Sequence, residues 1–110
     1  MKVMLLVRVT LVIVLAGVTL SAQNLNVELQ RVTQQEIVTG DLRAAIDSYK
    51  KIVARAGSNR EVAAQALVRM AESYQKLGDV EARTIYARLI RDFSDQKDAV
   101  AIARRLVAGI

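Results

Sequence analysis

The residues in this chain best equipped for chemistry are carboxylates and phenols. Asp92, Asp95 and Asp98 recur every third position, close enough on a helix end to hold a cation weakly. The alternative is electrostatic. Acids gather at a helix N-terminus because free amides and the positive end of the macrodipole favour them, and Ser94 or Asp95 would then be the cap. We prefer the second assignment. Tyr49, Tyr74 and Tyr86 could stack a ligand, but each falls on the apolar stripe of its own segment, which assigns the rings to core packing. The chain has no histidine and no cysteine. That removes the commonest general base, the commonest metal ligand, any disulfide and any thiol nucleophile. No phosphate-cradling glycine loop or nucleophile motif is present. The sequence therefore predicts no catalytic residue, no metal and no cofactor; an enzyme would have to work with carboxylates, Lys or Tyr alone.

The elements that would carry these groups are helices. Proline is absent, and Gly40, Gly57 and Gly78 cut the region after Ala22 into four segments, each glycine fitting a helix end. Between Gly40 and Gly57 the apolar set is Leu42, Ala45, Ile46, Tyr49, Ile52, Val53 and Ala56, in steps of one and three that place one stripe on a helix. Between Gly57 and Gly78 it is Val62, Ala63, Ala66, Leu67, Met70, Ala71, Tyr74 and Leu77. Ala82, Ile85, Tyr86, Leu89, Ile90 and Phe93 follow, and a last stripe holds Ala99, Ile102, Ala103, Leu106, Val107 and Ile110. The first segment is weaker: Leu25, Leu29, Val32, then Ile37 and Val38. Ser58 and Glu61 form a capping-box pattern. Asp41 and Asp79 place negative charge at the start of the helices after their glycines. Asp47 with Lys51, and Glu72 with Lys76, are spaced as surface ion pairs.

The N-terminus differs in kind. Lys2 and Arg8 precede a run that is almost wholly apolar from Val9 to Leu20, and Ser21 and Ala22 close it before Gln23. A positive start, an apolar stretch and a small-residue exit are the layout of a secretory signal peptide. We place it at residues 1–22 with cleavage after Ala22, leaving a domain over 23–110. A retained membrane anchor is the alternative, because Val3 to Ala22 is about long enough to span a bilayer; Arg8 would then snorkel to one end. Lipid attachment at the junction is excluded by the missing cysteine.

The formal charge is +5. Setting aside Lys2 and Arg8 leaves 14 basic against 11 acidic residues, an excess of three. That excess is scattered and too small to imply nucleic acid.

The segments also repeat. Gly40-Asp41 is followed by Ala45 and Tyr49, and Gly78-Asp79 by Ala82 and Tyr86. The period is 38 by the glycines and 37 by the tyrosines, in the range of stacked helix pairs. These residues resemble the tetratricopeptide repeat family. Leu67, Met70, Ala71 and Tyr74 match the large, large, small and aromatic positions of its first helix, and Ala82 and Tyr86 match its second. Arg91 to Asp95 looks like the punctuation ending such repeats, with Ser94 where proline is usual. In the first helix Glu36 stands at the aromatic position. The long period resembles repeats of bacterial envelope proteins: the outer-membrane assembly lipoproteins, the Tol–Pal coordinators and helical regions that precede periplasmic β-propellers.

The resemblance implies an all-α fold of tetratricopeptide-like helix-turn-helix pairs, two pairs and a terminal helix. It implies a non-catalytic protein-interaction module or scaffold, periplasmic or secreted, whose partner is a protein or peptide. Membrane contact would come only through the N-terminal segment, as in an inner-membrane anchored form. The chain could equally be the N-terminal repeat region of a larger periplasmic protein, and so short an array invites self-association. Carried onto this sequence, the family's concave groove falls on Gln30, Gln34, Gln65, Val68, Glu72, Gln75 and Arg104.

Overall fold

The structure, a computed structural model, describes residues 24–110. The signal peptide expected at 1–22, its expected cleavage point and the alternative anchor lie outside the described residues. Residues 24–39 form α1. It is followed by α2 (Leu42–Ala56), α3 (Arg60–Lys76), α4 (Glu81–Asp92) and α5 (Lys97–Val107). There is no strand among the described residues. The architecture is the predicted one, all-α, with two helix pairs and a terminal helix.

The glycines end helices as expected. Gly40, Gly57 and Gly78 all have positive φ, which a side chain would oppose. At Gly78 the capping bonds are complete. Its amide donates to the Gln75 carbonyl at 2.9 Å and the Asp79 amide to the Tyr74 carbonyl at 2.9 Å, the Schellman arrangement that satisfies the last carbonyls of α3.

Helix starts depart in two places. The Ser58–Glu61 capping box does not form; Asn59 caps α3 instead, accepting from the Val62 amide at 3.3 Å. The helix begins one residue later than the box requires. Neither Ser94 nor Asp95 caps α5, whose cap position is Gln96 with no side-chain bond. Asp95 is engaged elsewhere: Arg60 grips it with Nε at 3.0 Å and Nη2 at 2.5 Å. Arg60 also donates to the Asp92 carbonyl at 2.6 Å and lies over the Phe93 ring at 4.7 Å. The start of α3 is thereby tied to the α4–α5 turn. The acidic residues at glycines behave as predicted. Asp41 caps α2 by accepting from the Ala44 amide at 3.1 Å, and Asp79 accepts from the Glu81 amide at 3.0 Å.

Packing follows the stripes. α2 packs on α3, α3 on α4, α4 on α5, and α3 also touches α5. α3 is the central element and is buried on most sides, through Val62, Ala63, Ala64, Ala66, Leu67, Val68, Met70, Ala71 and Ser73. Its alanines let neighbouring backbones approach, while Leu67 fills the space between them. Fully burying a side chain of that size contributes about 1.5–3 kcal/mol. Tyr49 and Tyr86 are fully buried, as the core assignment predicts; Tyr74 is half-buried against the core, with Lys50 Nζ 5.8 Å from its ring centre.

α1 buries Leu29, Val32 and Glu36 and half-buries Leu25. Ile37 and Val38, which the sequence places on its stripe, are exposed. The steps of four, three and four from Leu25 put Glu36 on the inward face, turning Ile37 and Val38 to solvent. The two predicted (i, i+4) ion pairs are also absent. Glu72 pairs with Arg69 at 3.6 Å, and Lys76 reaches Glu36 at 3.9 Å. No ion pair joins Asp47 to Lys51 among the described residues. Exposed pairs are worth so little that competing partners decide them.

Candidate functional site

The first helix of each pair and the terminal helix, α1, α3 and α5, enclose a groove of about 580 Å³. Its floor is apolar: Leu29, Val68 and Ala99 are buried and Ile102 half-buried. Its rim is amide-rich, with Gln30, Gln34 and Gln65 all exposed. Gln65 donates to Glu61 at 3.4 Å, and Gln30 and Gln34 make no side-chain hydrogen bond to a described residue. Thr33, Arg69, Glu72 and Asp98 complete the wall. A smaller cleft of about 260 Å³ shares Gln65, Asp98 and Ala99 with this groove and extends it past Glu61, Asp95, Gln96 and Lys97.

The structure thus brings together Gln30, Gln34, Gln65, Val68 and Glu72 of the predicted groove set. Gln75 and Arg104 stand apart. Gln75 is half-buried and accepts from the Tyr86 hydroxyl at 2.9 Å. Arg104 is exposed and lies roughly opposite Asp98 and Ile102 around α5, given 3.6 residues per turn. α5 starts 37 residues after α3, so the tyrosine period takes Gln65 onto Ile102, which lines the groove with Asp98 and Ala99, and not onto Arg104.

Residues 65–96 match the tetratricopeptide repeat family model. This segment is similar to a tetratricopeptide repeat. The match runs from the groove residue Gln65 through α4 to the turn before α5, so the repeat's first helix supplies one wall of the groove. The α1–α2 pair lies outside the matched residues. No curated protein and no solved structure matches the chain.

A second polar cluster lies in the core, and sequence reasoning missed it. Glu36 is almost fully buried. Its carboxylate accepts from the Tyr49 hydroxyl at 2.7 Å and from the Ser73 hydroxyl at 2.7 Å. It therefore joins α1 to α2 and to α3, within the matched stretch. The signal was a lone charge on the inward face of α1. Burial pushes the Tyr49 phenol up to about 12, and the Thr33 hydroxyl bond opposes the rise. Burial likewise pushes Tyr86 up to about 12, with the Glu72 charge adding to it. Ser73 is fully buried, and the bonds of this cluster tie α1, α2 and α3 together.

The three aspartates do not act together. Asp95 is bound by Arg60, which holds its carboxyl well below the usual range. Asp92 pairs with Arg91 at 2.8 Å and is also held low by it. Asp98 faces the groove. No group of three potential metal-ligating side chains exists among the described residues.

Proposed function

We propose that the chain is an exported, non-catalytic protein-interaction module of the bacterial cell envelope that holds an extended peptide or protein segment in its concave groove. The observation that carries this reading is the groove itself. Three alternate helices, α1, α3 and α5, present an apolar floor under an amide rim. Glutamine side chains offer a donor and an acceptor together, as a peptide unit does, and suit an extended backbone. Export is supported by the charged, apolar and small-residue order of residues 1–22.

The test is site-specific photo-crosslinking in cells. A crosslinker at Gln30 or Gln65 should capture a defined partner that one at Lys51, on an outer helix, does not. Equal capture from both faces would remove the groove from the proposal.

One observation favours a second reading, a membrane-anchored scaffold. Residues 3–22 are apolar for about the length of a bilayer span, whereas no described helix is long and apolar enough to cross a membrane. N-terminal sequencing separates the two: a mature start near Gln23 eliminates the anchor.

A further inference from the structure

The groove's charge narrows its occupant. The 14 basic and 11 acidic residues after Ala22 are unevenly placed. The outer helices α2 and α4 hold seven Lys and Arg against three Asp and Glu, which exceeds the entire positive excess. The remaining helices and turns are net negative by one charge. The groove follows that balance. In its body, Arg69 and Glu72 are paired. In its extension, Asp95 is occupied by Arg60. This leaves Glu61 and Asp98 facing a single lysine, Lys97, and none of the three forms an ion pair among the described residues. Asp98 sits in the first turn of α5 and Glu61 in the first turn of α3, where helix ends favour acids, and the two helices bring both carboxylates to one cleft. Among the described residues no unpaired arginine or lysine lines the main groove, so nothing there is placed to grip a carboxylate.

We propose that the groove selects a partner segment carrying an aliphatic side chain beside a lysine or arginine, and rejects acidic segments. The aliphatic group would sit over Leu29, Val68, Ala99 and Ile102. The backbone would run along the amides of Gln30, Gln34 and Gln65, and the cation would lie between Glu61 and Asp98. This rests on the groove reading above and adds the chemistry of the occupant.

The test uses the full chain and four fluorescent decapeptides with glycine–serine flanks. One alternates leucine with lysine. The second has glutamate for lysine, the third glutamine for lysine, and the fourth serine for leucine. Fluorescence anisotropy should rank the leucine–lysine peptide first. The glutamine form, which removes two exposed charge pairs, should be weaker by several-fold. The glutamate form, which reverses them into repulsions, should be weaker by about tenfold or more. The lysine preference should shrink as salt rises and screening shortens. The double variant Glu61→Lys, Asp98→Lys should transfer the preference to the glutamate peptide while the helical spectrum is kept. If the glutamate peptide binds as well as the lysine peptide, or the double variant leaves the ranking unchanged, the charge selection is wrong and the groove reading survives. If no peptide binds, or binding is unmoved by Ile102→Asp in a chain that still folds, the groove reading itself falls.

Discussion

The two helix pairs share a period and an architecture, yet they solve one packing problem in opposite ways. Each buries a tyrosine completely, Tyr49 in α2 and Tyr86 in α4, and each buried hydroxyl needs a partner. In the second pair Tyr86 bonds to Gln75, a half-buried neutral amide. In the first, Tyr49 bonds to Glu36, a carboxylate almost sealed from water. Most of the second pair falls within the stretch that matches the tetratricopeptide family, and the first does not. A neutral, water-accessible acceptor tolerates change, because solvent replaces a lost partner. A buried carboxylate tolerates it less, because removing either donor takes a short bond from a charge that little water reaches.

That contrast can be tested by substitution and pH. The largest effect should be common to both pairs. Tyr49→Ala and Tyr86→Ala each open a core cavity and should lower stability by about 3–5 kcal/mol in urea unfolding. A much smaller loss in one of them would show that its pair collapses around the gap. Next comes alkaline pH. Both phenols move from 10.0 to about 12 in the fold. Between those values the unfolded chain releases protons that the folded chain keeps. Stability is therefore complete below pH 10 and falls as pH rises toward 12, by about 2–3 kcal/mol per tyrosine. Phenolate absorbance should show two late protons, and Tyr49→Phe should remove one of them.

The asymmetry appears in the subtler changes. Tyr49→Phe strips Glu36 of a donor and should cost about 1–3 kcal/mol. Tyr86→Phe should cost under about 1 kcal/mol, since water reaches Gln75. Equal costs would erase the distinction between the pairs. The smallest effect should again be symmetric. Asp41→Ala and Asn59→Ala remove the caps of α2 and α3, and each should cost about 1 kcal/mol in thermal unfolding. A twofold disparity would mean that packing rather than capping holds one helix start.

Much of this fold was legible from local rules. Glycine at positive φ, alanine and tyrosine at helical spacing, and the recurring Gly-Asp are signals carried by single segments, and each landed where the helices required. Of the proposed groove, Gln30, Gln34, Gln65, Val68 and Glu72 lie together because α1 and α3 keep the period that the glycines announce. Arg104 does not join them because the 37-residue period takes Gln65 onto Ile102, two residues before it. Glu36 was hidden for a different reason. Its partners Tyr49 and Ser73 are 13 and 37 residues away. A stripe read along one helix registers only an interruption, without the two hydroxyls that make it stable. The N-cap at Asn59 was missed by one residue, the scale on which several polar neighbours compete for one helix end.

The Glu36–Ser73 bond also bears on how such an array can be rearranged. By the glycine period, Ser73 corresponds to Gln35 and Glu36 to Tyr74. A duplicate of the first pair in the second place would offer Glu36 the longer amide of Gln35 in place of a short hydroxyl. A duplicate of the second pair in the first place would set the Tyr74 ring against Ser73. Each pair carries half of a lock that its own copy cannot complete. Shuffling, duplicating or transplanting these pairs would therefore break the bond, and their order along the chain is written into the seam between them.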